Sequence, residues 1–237
     1  NFGIELGLQP HLAKKHHEIL QEMDLILSSD PHVVHGLDPY YPAYYEGRSE
    51  HAAYLEYFES ILENIAAFHE FDVYGHIDYV VRYGPEKKQK ITVMTNTKMS
   101  LTRSCGSLSL FGKGIELNMA GFKYGLGHPN PTEEILHRYR ELGGEIITIG
   151  ADAHTPDKIG YAFDKAADVL RECGFSYYAV FKNRRPVFIS CSSVSLSSER
   201  VYIFIPKISF YLRRNSICQQ KDSRKRKLPC RQKKKSN

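Results

Sequence analysis

Glu145-Ile146-Ile147-Thr148-Ile149-Gly150-Ala151-Asp152-Ala153-His154-Thr155-Pro156 is the stretch whose reading decides the fold. Residues 146–149 form an uncharged, β-branched run of the kind that parallel sheets bury on both faces. Small residues follow at once, and then Asp152 and His154 stand at alternate positions. A strand ending this way sets a carboxylate and an imidazole side by side at the C-terminal edge of the sheet, where parallel α/β folds keep their chemistry. Hard oxygen with borderline nitrogen suits Zn, Mn or Fe. The competing reading is an Asp that caps the next helix, with a surface His beside it.

The same arrangement recurs outward from that stretch. Ile4-Glu5-Leu6 places a carboxylate inside a short apolar strand, costly to bury unless paired or metal-bound; the alternative is an edge strand with Glu5 in solvent. Leu25-Ile26-Leu27 reads as a strand, with His32 and His35 beyond it. Phe71-Asp72-Val73-Tyr74-Gly75-His76-Ile77-Asp78 is a strand ending in Gly-His, in which His76 reads either as a ligand or as a core histidine bonded to backbone. Residues 115–118 form a strand that runs into a loop carrying Lys123 and His128. Helical spacing covers 11–24, with His16 and His17 read as solvated, and 50–68, whose apolar face includes Tyr54, Phe58, Ile61, Leu62 and Ile65. Further helices are expected from Thr132 and over 157–173, and a last strand over 177–181. Strands alternating with helices predict an α/β fold with a parallel sheet.

The net charge of +5 conceals two populations. Residues 189–237 carry 13 Lys and Arg against 2 acids, which leaves 19 against 25 in residues 1–188. The body is mildly acidic, so an argument for nucleic acid rests on the tail alone. That tail is serine-rich and then almost wholly basic, and its expected place is outside the fold. No run of eighteen apolar residues exists, and a membrane partner is not expected. Five scattered cysteines without metal-like spacing read as reduced thiols of a cytoplasmic protein.

Gly150-Ala151-Asp152-Ala153-His154 resembles the closing metal motif, usually Gly-Ser-Asp-Ala-His, of the polymerase-and-histidinol-phosphatase (PHP) superfamily, and the surrounding text resembles its histidinol-phosphatase branch. Three blocks carry the match: 3–11, 36–84 and 112–188. The resemblance implies a PHP-type (β/α)7 barrel with three divalent ions (Mn, Zn or Fe) in a complete site. It makes Glu5 a bridging carboxylate and His32, His76, Asp152 and His154 further metal ligands, with Asp78 orienting an imidazole. Residues 28–31 depart from the family pattern, which leaves His32 and His35 as alternatives. Arg48, which otherwise reads as a surface residue, and Lys123, which otherwise reads as a solvated lysine, become the substrate-binding groups that hold a phosphate.

The implied reaction is hydrolysis of the small-molecule phosphate ester L-histidinol phosphate to L-histidinol and phosphate, a step of histidine biosynthesis. The metals would polarise the phosphoryl oxygens and supply hydroxide, and the catalytic Asp152 would pass a proton to the leaving alkoxide. Other readings are a PHP phosphoesterase of different substrate, and a non-catalytic remnant with a nucleic-acid-binding tail.

Two departures qualify the resemblance. The family's His-x-His is absent from this chain, so the expectation is a barrel lacking its first strands, with little or no phosphatase activity in the chain as it stands. Residues 91–111 contain no Asp or Glu and crowd Ser, Thr and Met without helical period where relatives have an amphipathic helix; a local reading-frame error accounts for that. The expected domain is therefore 1–188 with an aberrant 91–111, followed by a tail, 189–237, that is not part of the fold.

Overall fold

Short β-branched and apolar runs form five parallel strands in the computed structural model, which describes residues 3–19, 25–29, 37–85 and 91–193. The strands are β1 (Gly3–Gly7), β2 (Leu25–Ser29), β3 (Val73–Tyr74), β4 (Gly114–Asn118) and β5 (Ile147–Gly150), and they lie in the sheet in chain order. Each neighbour is parallel, so every connection is a crossover. Glu5 pairs in register with Leu27, Leu27 with Val73, Val73 with Gly114, and Glu116 with Thr148. All five residues of β4 are buried, as a central parallel strand requires. In β1 the burial alternates: Ile4 and Leu6 are buried while Glu5, on the opposite face, keeps 24% of its side chain exposed.

The crossovers carry α1 (Ala13–Ile19), α2 (Glu50–Ala67), α3 (Ile91–Leu110), α4 (Ala120–Lys123) and α5 (Glu133–Glu141), and α6 (Phe163–Glu172) follows β5. Ser49 caps α2, its hydroxyl accepting the Ala52 N–H at 3.2 Å. The buried face of α2 holds Tyr54, Tyr57, Phe58, Ile61 and Ile65. A hairpin follows: β6 (Tyr177–Lys182) and β7 (Arg185–Ser190) pair antiparallel across Asn183 and Arg184, both at positive φ. Two left-handed residues are what a type I′ turn demands. Ala179 and Phe181 of β6 share a core cluster with Leu27 and Val73.

Three sequence expectations change here. Residues 91–110, read as aperiodic, are the long helix α3. Its buried positions are Thr97, Ser100, Leu101, Ser104, Cys105 and Leu108, a proper helical stripe filled by small polar residues. His16 is not solvated; it is buried edge-on against Phe68, 5.5 Å between ring centroids. The ordered body also runs past 188. Ser190 pairs with Tyr177, and Cys191 is buried, its N–H bonding the Ser176 carbonyl at 2.9 Å. His32, His35 and the tail from 194 lie outside the described residues. Among the described residues no helix is long and apolar enough to cross a membrane.

Candidate active site

The C-terminal ends of β1, β3, β4 and β5 bring polar side chains to one place. Glu5 lies within β1, His76 two residues after β3, Glu116 and Asn118 on β4, and Asp152 two residues after β5. His76 Nε2 stands 3.3 Å from Glu5 Oε1. Its backbone N–H donates to Glu116 Oε2 at 3.1 Å, and the Asn118 amide donates to the same oxygen at 3.0 Å. Gly150 is what makes room: a Cβ there would collide with the Glu116 carboxylate. The first residue of the Gly-Ala-Asp-Ala-His motif therefore has a steric reason.

Arg82, in a single 3-10 turn after His76, ties this group together. Its guanidinium is fully buried and forks three ways. Nη1 donates to Asp152 Oδ2 at 2.6 Å, Nε to Asn130 Oδ1 at 2.8 Å and Nη2 to Asn118 Oδ1 at 3.2 Å. The ring of Tyr124 lies 4.9 Å from the guanidinium carbon and that of Tyr79 5.4 Å. Lys123 adds a second cation, its ammonium donating to the Asp152 carbonyl at 3.1 Å. Burial works to raise the Asp152 carboxyl, but the charges of Arg82 and His76 and the Arg82 hydrogen bond hold it well below the usual carboxylate range. Burial pushes Glu116 the other way, up. For His76, burial alone would depress the imidazole, yet its bond to Glu5 leaves it above the ordinary value.

Glu5, His76, Asp152 and Lys123, all singled out in the sequence, thus meet at one sheet edge. His154 lies beside Asp152, Nδ1 3.6 Å from Oδ1, with its ring largely in solvent. Arg48 does not join them: it pairs with Glu56 and donates to the Tyr44 carbonyl. Asp78 holds no imidazole by hydrogen bond; it accepts from the Asn130 amide at 2.8 Å and the Thr132 N–H at 3.2 Å. Through Asn130 it fixes Arg82. Sequence reasoning missed Arg82 and Glu116. Glu116 carried the signal that marked Glu5, an acid within an apolar strand; Arg82 is a lone cation closing the apolar turn Tyr79-Val80-Val81.

The donor set suits a divalent ion in kind: two carboxylates and an imidazole. Among the described residues His76 Nδ1 is buried with no hydrogen-bond partner, an atom with capacity to spare. Among the described residues, however, no three His, Cys, Asp or Glu side chains close around one point. A complete shell needs further ligands, and one candidate, His32, lies outside the described residues.

Comparison with known proteins gives this geometry its context. No family model matches the chain. A histidinol-phosphatase of Lactococcus lactis is 24% identical over 189 residues, covering 77% of this chain and 68% of the relative. A probable histidinol-phosphatase of Clostridium acetobutylicum is 27% identical over 198 residues, 78% of this chain and 69% of the relative. One from Thermotoga maritima reaches 32% identity over 129 residues, 54% of this chain and 50% of the relative. The chain is a homologue of the histidinol-phosphatases. The crystal structure of the Lactococcus histidinol phosphate phosphatase, complexed with Zn, L-histidinol and phosphate, superposes with a TM-score of 0.69 at 23% identity, over 77% of this chain and 70% of that one. It establishes the shared fold. The matched relatives are longer than the parts this chain spans, 68%, 69% and 50% of their lengths.

Proposed function

We propose that this chain carries the phosphoester-hydrolysing site of a histidinol-phosphatase, which converts L-histidinol phosphate and water to L-histidinol and phosphate in histidine biosynthesis. One observation carries the reading: in a homologue of those enzymes, Asp152 sits between the buried Arg82 and Lys123 at the same sheet edge as Glu5 and His76. We place the five strands within a PHP-type (β/α)7 barrel and the protein in the cytoplasm, where its buried free cysteines, Cys105, Cys173 and Cys191, stay reduced.

Lys123 supplies positive charge for a phosphoryl group as a point charge, while the buried Arg82 spends its fork on Asp152, Asn130 and Asn118 and so positions Asp152. The forked guanidinium is already oriented by Asn118 and Asn130, so its direction is set before substrate arrives. Asp152, kept ionised by Arg82 and His76, takes a proton on Oδ1, the oxygen turned toward His154, from the water that attacks phosphorus, and passes it to the alkoxide released as the ester P–O bond breaks. Divalent ions (Mn, Zn or Fe), held by Glu5, His32, His76, Asp152 and His154, would supply Lewis acidity at the phosphoryl oxygens and acidify water.

The experiment is phosphate release from L-histidinol phosphate, set against a panel of other phosphomonoesters, by the purified chain with Mn or Zn. Preference for L-histidinol phosphate supports the reading; equal or better hydrolysis of unrelated esters sinks it. A second reading, a non-catalytic relative, has one observation behind it: the absence, among the described residues, of three ligands around one point. Metal content per chain separates the two, since a working cluster retains ions through gel filtration and a remnant does not.

A further inference from the structure

α2 and α3 pack side by side and are 18 and 20 residues long, so each presents an outer face about 27–30 Å in length. On α2 the outer stripe runs Ala52, Leu55, Glu59, Leu62, Glu63 and Ala66, with the two leucines half-buried and the others exposed. On α3 it runs Lys98, Met99, Arg103, Gly106 and Leu110, in which Met99 and Leu110 are exposed apolar side chains. A Cβ built on Gly106 would meet nothing within 4 Å, so among the described residues no side chain covers the middle of this face.

The charges divide by helix. The α2 stripe carries Glu59 and Glu63, while α3 contains no acid and exposes Lys98 and Arg103. Among the described residues none of these four side chains has an ion-pair partner, although Glu56 on the same helix is held by Arg48. A partner of a single sign is repelled by one helix or the other. Nucleic acid or an anionic membrane would face the glutamates, and a basic segment, the chain's own tail included, would face Lys98 and Arg103. What fits is a surface with both signs, set out in the opposite order.

We infer that this two-helix face is the contact between two copies of the chain, related by a two-fold axis that lays α2 of each copy along α3 of the other. The face is complementary to itself under that rotation: an acidic stripe meets a basic one, twice, which is what a closed isologous contact requires. Leu55 and Leu62 of each copy then cover the exposed Met99 and Leu110 of the second, and Gly106 lets the helices approach. The ion pairs lie near solvent, so they fix partner and orientation more than they add affinity. The dimer therefore forms at micromolar concentration and dissociates on dilution, where unfolding reads the single chain. None of this depends on the phosphatase reading.

Sedimentation velocity on the purified full chain, across a concentration series, tests this. The wild-type chain should dimerise. One variant carries Lys98→Glu with Arg103→Glu, and another Glu59→Lys with Glu63→Lys; each should self-associate about tenfold or more weakly, because like charges then face one another. Mixed in equal amounts, the two variants should pair with close to wild-type affinity, since every acidic stripe again meets a basic one. All four side chains are exposed, so the core is untouched, and unaltered circular dichroism verifies it. A monomeric wild-type chain overturns the inference, and so does wild-type self-association by both variants. Weakening by the α2 changes alone would mean that the basic tail, not α3, lies on the glutamates, and overturns it as well. Failure of the mixture to pair does the same, even if each variant alone is monomeric.

Discussion

His76 and Asp152 both hold positive φ, 27° and 46°, though neither is glycine. Such backbone costs about 1–3 kcal/mol at each residue and persists where the surroundings enforce it, often at functional sites. The enforcement is visible: the His76 N–H is held by Glu116 and the Asp152 carboxylate by Arg82. Acids and histidines at strand ends announce themselves in a sequence, which is why Glu5, His76 and Asp152 were legible. Arg82 was not, because its partners Asn118, Asn130 and Asp152 are distant in the chain and only the fold assembles them. Its removal should be severe. Arg82→Ala leaves the largely buried Asp152 charge uncompensated and should lower unfolding free energy by about 3–5 kcal/mol in urea melts. A loss under about 1 kcal/mol would mean that water reaches Asp152. Asp152→Asn should cut turnover of L-histidinol phosphate at least ~100-fold wherever turnover is measurable, since proton transfer alone is worth that much. Unchanged turnover removes Asp152 from the mechanism.

At the scale of single elements, α3 shows where reading by hydrophobic period stops. Its buried stripe runs Thr97, Leu101, Ser104, Cys105, Leu108, spaced as a helix face. Ser and Thr count as polar in a sequence pattern, yet here they face α2 and α5 because close helix packing favours small side chains. Ser104 Oγ donates to the Ser100 carbonyl one turn back at 3.0 Å, and Ser109 Oγ to the Leu142 carbonyl beyond α5 at 2.8 Å. The opposite face carries Met99, 77% exposed, so apolarity and burial are poorly matched along this helix. Leu108→Ala should therefore cost about 2–5 kcal/mol, and Met99→Ala no more than about 0.5 kcal/mol, both by thermal or urea unfolding. Equal effects would contradict the packing. The Cys105 thiol offers an independent check. Burial pushes it up to about 12, so at pH 8 it stays protonated and unreactive. Peptide-resolved iodoacetamide labelling should find it unmodified in the native protein and labelled in urea; native labelling at the denatured rate would place it in solvent.

For the molecule as a whole, the alternation of strand and helix was legible, and so was the parallel sheet, because each strand is short, apolar and followed by its own helical segment. The end of the body was harder to place. Composition turns serine-rich near 189, and that shift suggested a boundary which the packing sets later. Ile189 and Ser190 complete β7 opposite Tyr178 and Tyr177. Cys191 is 1% exposed, its N–H bonds Ser176, and its carbonyl accepts from Arg171 Nη1 at 3.1 Å. Those contacts tie the last strand to α6, which packs its Ala166, Ala167 and Leu170 inward. Cutting after Phe188 would thus remove two rungs of a two-stranded ladder and leave the Arg171 and Ser176 groups to water. A chain ending at Ser193 keeps all of this. The expected result is a lower melting temperature for the 1–188 chain than for the 1–193 chain, by about 4 °C or more if the difference is near 1–2 kcal/mol. Identical melting of the two would mean that residues 189–193 contribute nothing to the body and that the boundary belongs at Phe188.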